Sequence, residues 1–231
     1  TAQHSTAQHS TAQHSTAQRR ITNKFFELLK EAGKVVGIDV SDKVEWKTLS
    51  EVAKYSKDRI SFEYLNEKNY IGVENLLKNR LGKIDSSNVP IEGNSIKFNI
   101  GDILIGNIRP YLRKIWLADV EGGTNGDVLA IRIKDKNKIS SEFLYQLLSD
   151  EKFFDYNIKY SKGAKMPRGD KEKIMEYKIP LLPLPVQEYI VSILDKFDIL
   201  VNDLSQGLPK EIELRQKQYE YYREKLLNFE K

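Results

Sequence analysis

Ile179-Pro180-Leu181-Leu182-Pro183-Leu184-Pro185, running on into Val186-Gln187-Glu188, decides how the chain is organised. Three prolines fix φ and remove backbone donors, so the segment reads as rigid and non-helical. A helical period begins at Val186: Ile190, Val191, Ile193, Leu194, Phe197 and Leu200 recur at gaps of three and four. Gly207-Leu208-Pro209 then places a helix-ending glycine before a helix-starting proline. In the second helix Ile212, Arg215, Tyr219, Tyr222, Leu226 and Phe229 follow with alternating gaps of three and four, which is a heptad seam. Such a stripe can simply cover its own domain. Tyr219-Glu220-Tyr221-Tyr222 puts bulky rings on two faces of one turn, which favours a partner helix, in this chain or another.

Upstream, residues 1–18 repeat TAQHS with a period of five. Five residues advance a helix by about 500°, so successive units share no face and build no apolar seam. The tract reads as a spacer or leader. A repeat at the gene level would also let its length vary by whole units. His4, His9 and His14 all lie here, at a spacing unsuited to a helical metal pair, and no metal or cofactor is expected. Residues 19–32 follow with Ile21, Phe25, Leu28 and Leu29 on one helical face and Gly33 as its stop. Thr48 or Ser50 is placed to cap a short helix.

From Tyr55 to Ile133 the period changes. Tyr70–Val73, Ser95–Phe98, Asp102–Ile105, Ile115–Ala118 and Asp127–Ile133 read as strands, with turns at Gly101-Asp102, Gly122-Gly123 and Asn125-Gly126-Asp127. Residues 140–156 return to helix, and residues 161–170 are a loop. The pattern predicts an α+β domain, with a mixed or antiparallel sheet and flanking helices, followed by a helical extension.

Lys+Arg of 37 against Asp+Glu of 33 leaves a net charge of +4, so only local clustering can argue for nucleic acid. The absence of cysteine excludes disulfides and thiolate metal sites and suits a reducing cytoplasm. No apolar run reaches membrane-spanning length, so no membrane partner is expected. Gly82-Lys83 lacks the upstream glycine of a phosphate loop, and no glycine-rich dinucleotide turn opens a βαβ unit. Asp39 with Glu45 and Lys47 is a faint nuclease-like carboxylate–lysine set, the enzyme alternative.

Two loops concentrate positive charge among aromatic and amide groups. One is residues 106–114, with Asn107, Arg109, Tyr111, Arg113 and Lys114. Arginine offers a fork to guanine, asparagine a matched pair to adenine, and lysine a point charge to phosphate. The other is residues 159–169, with Lys162, Lys165 and Arg168, no acid, and two glycines that let backbone approach a phosphate chain. Asn107 and Arg109 are the expected base readers and the lysines the expected phosphate contacts. A third possibility is a scaffold whose basic loops bind an acidic protein.

Gly101-Asp102-Ile103-Leu104-Ile105, Gly122-Gly123-Thr124-Asn125, Lys173-Ile174 leading into the proline-rich segment, and Gly207-Leu208-Pro209 with Gln218-Tyr219-Glu220-Tyr221-Tyr222-Arg223 together resemble the specificity subunit of type I restriction-modification enzymes. The resemblance covers residues 44–229. It implies four segments: a spacer at 1–18, a helix and linker at 19–43, a target-recognition domain at 44–180, and a helical spacer and dimerisation region at 181–231. It further implies a non-catalytic DNA reader whose long helices form a coiled coil and dock methyltransferase subunits, with endonuclease–translocase subunits joining the complex. Pentapeptide-like repeats beside such a helix act as spacers in that family. One recognition domain departs from the family's paired arrangement. It implies a homodimer on a palindromic split site, with Ile212, Arg215, Tyr219, Tyr222, Leu226 and Phe229 at the interface.

Overall fold

The computed structural model describes residues 30–38, 44–204 and 209–227. The TAQHS tract, residues 19–29, Asp39, residues 205–208 with the expected helix-ending Gly207, and Phe229 lie outside the described residues, as do the side chains of Leu200 and Ile212. The chain divides into two compact units, residues 45–187 and residues 1–44 with 188–231.

The larger unit is α+β and holds three sheets. β2 (Ala53–Tyr55), β9 (Val128–Ile133), β6 (Ile103–Gly106) and β7 (Ile115–Leu117) form an antiparallel sheet in that order. β3 (Arg59–Ser61), β5 (Asn94–Phe98), β8 (Gly122–Thr124) and β4 (Tyr70–Ile71) form a second, in which only β4–β8 is parallel. β1 (Glu45–Thr48) pairs with β10 (Lys178–Leu181).

β6 is buried at every position because both of its faces are covered. Leu104, Trp116, Val128 and Ala130 meet Ile71, Leu76 and Phe98 in one core cluster. Ile103 and Ile105 alternate to the other face, in register with Ile131 and Leu129 of β9. A continuous apolar run of this kind is what a strand covered on both sides requires. Arg132 on β9 donates to both oxygens of buried Asp102, at 3.0 and 2.8 Å, and to Asp58 at 2.5 Å, which locks the start of β6 to the β2–β3 turn.

α1 (Leu49–Val52) is capped at Thr48, whose N–H donates to Glu51 Oε2 at 2.7 Å. The apolar stretch at 140–156 is two helices, α2 (Ser141–Leu148) and α3 (Glu151–Lys159). Asp150 separates them, because its carboxylate accepts from Lys152 N at 2.9 Å and starts a new helix. α4 (Lys171–Glu176) begins at Asp170 in the same way.

The proline-rich segment is shorter than expected as an irregular piece. Ile179 and Pro180 lie in β10, and α5 (Leu184–Leu204) already starts at Leu184. Pro185 sits in the first turn, where its missing N–H removes no helical bond, so this proline begins the helix rather than preventing it. Gln187 fixes that start: Nε2 donates to Lys138 O and Leu182 O at 2.8 and 2.7 Å, and Oε1 accepts from Ser140 N at 2.9 Å.

In the smaller unit residues 30–36 are helical. Phe197 of α5 stacks on Tyr222 of α6 (Pro209–Leu227), with ring centres 5.4 Å apart and planes 19° from parallel. Among the described side chains of α6, Arg223 and Leu227, four residues apart, are the buried ones.

Candidate nucleic-acid interface

β6 ends at Gly106, and the chain then runs against a segment sixty residues downstream. Arg109 N donates to Pro167 O at 2.7 Å and Gly169 N to Asn107 O at 3.0 Å, with Ile108 opposite Arg168. Lys162 and Arg168 exchange two backbone bonds of 2.9 and 2.8 Å, closing a tight loop over residues 163–167. Asn107 N donates to Asp127 O at 2.8 Å, which adds the Asn125-Gly126-Asp127 turn. Backbone pairing therefore joins both basic loops into one rim.

The rim separates the expected contact residues into three groups. Arg109 and Lys165 are exposed and form no ion pair with any described residue. Tyr111 and Met166 stand out beside them, at 50% and 47% exposure. Arg113, Lys162 and Arg168 each hold a carboxylate: Glu151 at 2.5 Å, Asp170 at 2.6 Å and Asp127 at 2.9 Å. The hydrogen bond to Asp170 lifts the Lys162 ammonium above its usual pKa, and the same contact lowers that of Asp170. Exposed pairs of this kind contribute little, so a phosphate can replace the carboxylate at small cost.

The third group points inward. Lys114 Nζ donates to Val73 O at 2.6 Å, and burial depresses its pKa. Asn107 is 4% exposed, so its amide is not on the rim and the expectation of a base contact there is corrected. A loop residue's side-chain direction is set by the strand it leaves and the backbone it pairs with, neither of which a local sequence pattern carries.

Gly169 explains where Asn107 goes. A methyl group at Gly169 would lie 2.8 Å from Asn107 Oδ1 and would run into Asn157 Oδ1 of α3. Both amides are buried, and Asn107 Oδ1 and the Asn157 amide have no hydrogen-bond partner among the described residues. Turning the Asn157 amide about χ2 exchanges its oxygen and nitrogen and presents a donor toward Asn107. Asn157, Gly169, Asp127 and Asp170 thus support the rim, and nothing in their sequence surroundings singles them out.

Glu45, proposed with Asp39 as a metal-binding pair, is bonded to Lys47 at 2.7 Å on the open surface. Among the described residues no group of three acidic, histidine or cysteine side chains is placed to hold a metal. No described helix is long and apolar enough to cross a membrane. On α6, Arg215 is exposed, Tyr219 and Leu226 are half-buried, and Tyr222 is 39% exposed.

A domain of this α+β build, with a hydrogen-bonded basic rim, belongs to a class known from its sequence. Residues 41–214 match the family model described as the type I restriction modification DNA specificity domain. The chain belongs to that family. It is 32% identical over 204 residues to the specificity subunit of a type I restriction enzyme of Escherichia coli, covering 81% of this chain and 49% of that protein. A putative type I specificity subunit of Mycoplasma pneumoniae is 41% identical over 101 residues, 43% of this chain and 31% of its own length. The chain thus spans about half the length, or less, of these relatives. The crystal structure of the HsdS subunit from Thermoanaerobacter tengcongensis shares the fold, with a TM-score of 0.53 at 20% identity over 73% of this chain and 44% of that one.

Proposed function

We propose that the chain is a non-catalytic DNA reader that recognises one half of a bipartite site for a type I methyltransferase and endonuclease assembly. The observation that carries this is the rim: two basic loops, distant in sequence, are hydrogen-bonded together and present Arg109, Tyr111, Lys165 and Arg168 on one edge of a family-assigned DNA specificity domain. Arg109 is the base reader, as the exposed guanidinium on the rim. Lys162, Lys165 and Arg168 meet phosphates, and Arg113 does so by releasing Glu151. Family membership favours this over a metal nuclease.

In this proposal α5 and α6 form the coiled-coil spacer and the platform for methyltransferase subunits. A second copy, related by a two-fold axis, reads the other half-site. The experiment is co-expression with a type I methyltransferase subunit and mapping of the methylated sites. A single split motif is expected. Methylation that ignores sequence, or no association with either DNA or methyltransferase, overturns the proposal.

A further inference from the structure

Residues 77–83 make a hairpin that neither basic loop includes. Leu76 pairs with Lys83, and Leu77 N donates to Gly82 O at 2.9 Å. At its tip Asn79 and Arg80 adopt φ of 55° and 66°. Among the described residues, the other non-glycine residues with positive φ are Arg109 and Arg113, at 53° and 50°. All four thus lie on two loops, and those loops touch: Arg80 N donates to Arg113 O at 2.9 Å. A left-handed arginine is strained, and such strain persists only where neighbouring structure holds it. Arg80 does that holding, since its Nη1 donates to Ser149 O at 2.8 Å.

The strained backbone lifts three residues out of the body. Lys78 and Asn79 are exposed, and Leu81 is 73% exposed at the tip with no core to cover. Lys114, one residue beyond Arg113, lies within electrostatic reach of both Glu74 and Lys78, so this loop borders the segment that leads to the rim.

We propose that residues 78–82 form a third duplex-contacting loop, in which Lys78 and Asn79 meet the phosphate backbone and Leu81 lies against base edges in a groove. Small apolar side chains read thymine methyl groups or wedge beside a base step, which fits a lone leucine among basic and amide neighbours. The inference rests on the DNA-reading function proposed above.

The test uses the full chain and a pool of short duplexes randomised at their centre. Lys78→Ala should lower the slope of log affinity against log salt by about 0.9, one phosphate contact. Leu81→Ser should retain that slope while the selected motif loses information at one position or more. Thermal unfolding followed by circular dichroism should match the parent for both. If both variants bind and select as the parent does, while Arg109→Ala with Lys165→Ala loses affinity, the third loop is refuted and the DNA-reading function stands. If the parent selects no duplex at any salt, that function fails and takes the third loop with it.

Discussion

Gly169 has no space for a side chain. Asn157 and Asn107 occupy the position where a Cβ would point, and Ile174 Cδ1 lies 3.1 Å away. Both amides are buried, so neither can swing into solvent to make way. Gly169→Ala should therefore cost about 1–3 kcal/mol, as overpacking of an interior site does. Denaturant unfolding would measure this, and a stability equal to the parent would show that the two loops are not clamped there. Sequence reading could select Arg109, Lys165 and Tyr111 because charge and aromaticity are properties of a residue. It misplaced Asn107 because burial is a property of the neighbours, here the backbone of residues 167–169 and a helix more than forty residues away.

Elements were legible where one period held long enough. Tyr70–Val73, Ser95–Phe98, Asp102–Ile105, Ile115–Ala118 and Asp127–Ile133 all contain strands of the structure, because their β-branched and apolar runs are strand-like on any scale. β8 was hidden, since Gly122-Gly123 reads as a turn. It is a strand because a Cβ there would collide with Asn69 O, Leu65 and Ser95, so only glycine lets β4 and β5 close on it. The α2–α3 break hung on one carboxylate, and Asp150→Ala should lower stability by about 1 kcal/mol, measured by the denaturation midpoint.

β2 and the junction between α4 and β10 also carry a pH signature. Burial holds the Tyr55 and Tyr177 phenols above their usual pKa of 10.0. Each keeps its proton in the folded chain after the unfolded chain would lose it. Their contribution is complete below about pH 10 and is lost as pH rises beyond it. Lys114 has the opposite sign, because its lowered pKa makes stability rise as pH approaches the value of 10.5 it has when unfolded. Burial raises the Tyr70 and Tyr156 phenols as well, against one lowered lysine, so denaturation midpoints should fall on the alkaline side. Tyr177→Phe should make that fall shallower; an unchanged profile would assign it elsewhere.

At the scale of the whole molecule, a net charge of +4 says almost nothing, whereas its distribution says a good deal. Carboxylates at Glu151, Asp127 and Asp170 mask three of the rim's cations in the free protein. Non-specific DNA affinity should therefore be modest and strongly salt-dependent. Replacing Lys162, Lys165 and Arg168 together by alanine should weaken binding to all sequences and flatten the salt slope by up to about 2.7, three phosphates' worth. A slope unchanged from the parent would mean that these residues never meet the backbone.

Assembly calls for a different surface. Of the seam residues expected on the second helix, Arg215 is exposed, Tyr222 is 39% exposed, and Tyr219 and Leu226 are half-buried beside the covered Arg223 and Leu227. Tyr222 is already engaged, stacked on Phe197 of the same chain. Among its described side chains α6 also leaves outward Leu214 at 63% exposure and Tyr221 at 49%, seven residues apart and so nearly in line along the helix. A two-fold pairing through that line would cover them without disturbing the Phe197–Tyr222 stack. Leu214→Glu with Tyr221→Glu should then shift sedimentation from dimer to monomer while the circular dichroism spectrum keeps the helix content of the parent. Phe197→Ala should do the reverse, lowering the melt by removing an internal contact. A dimer that survives the paired glutamates would move the interface off α6.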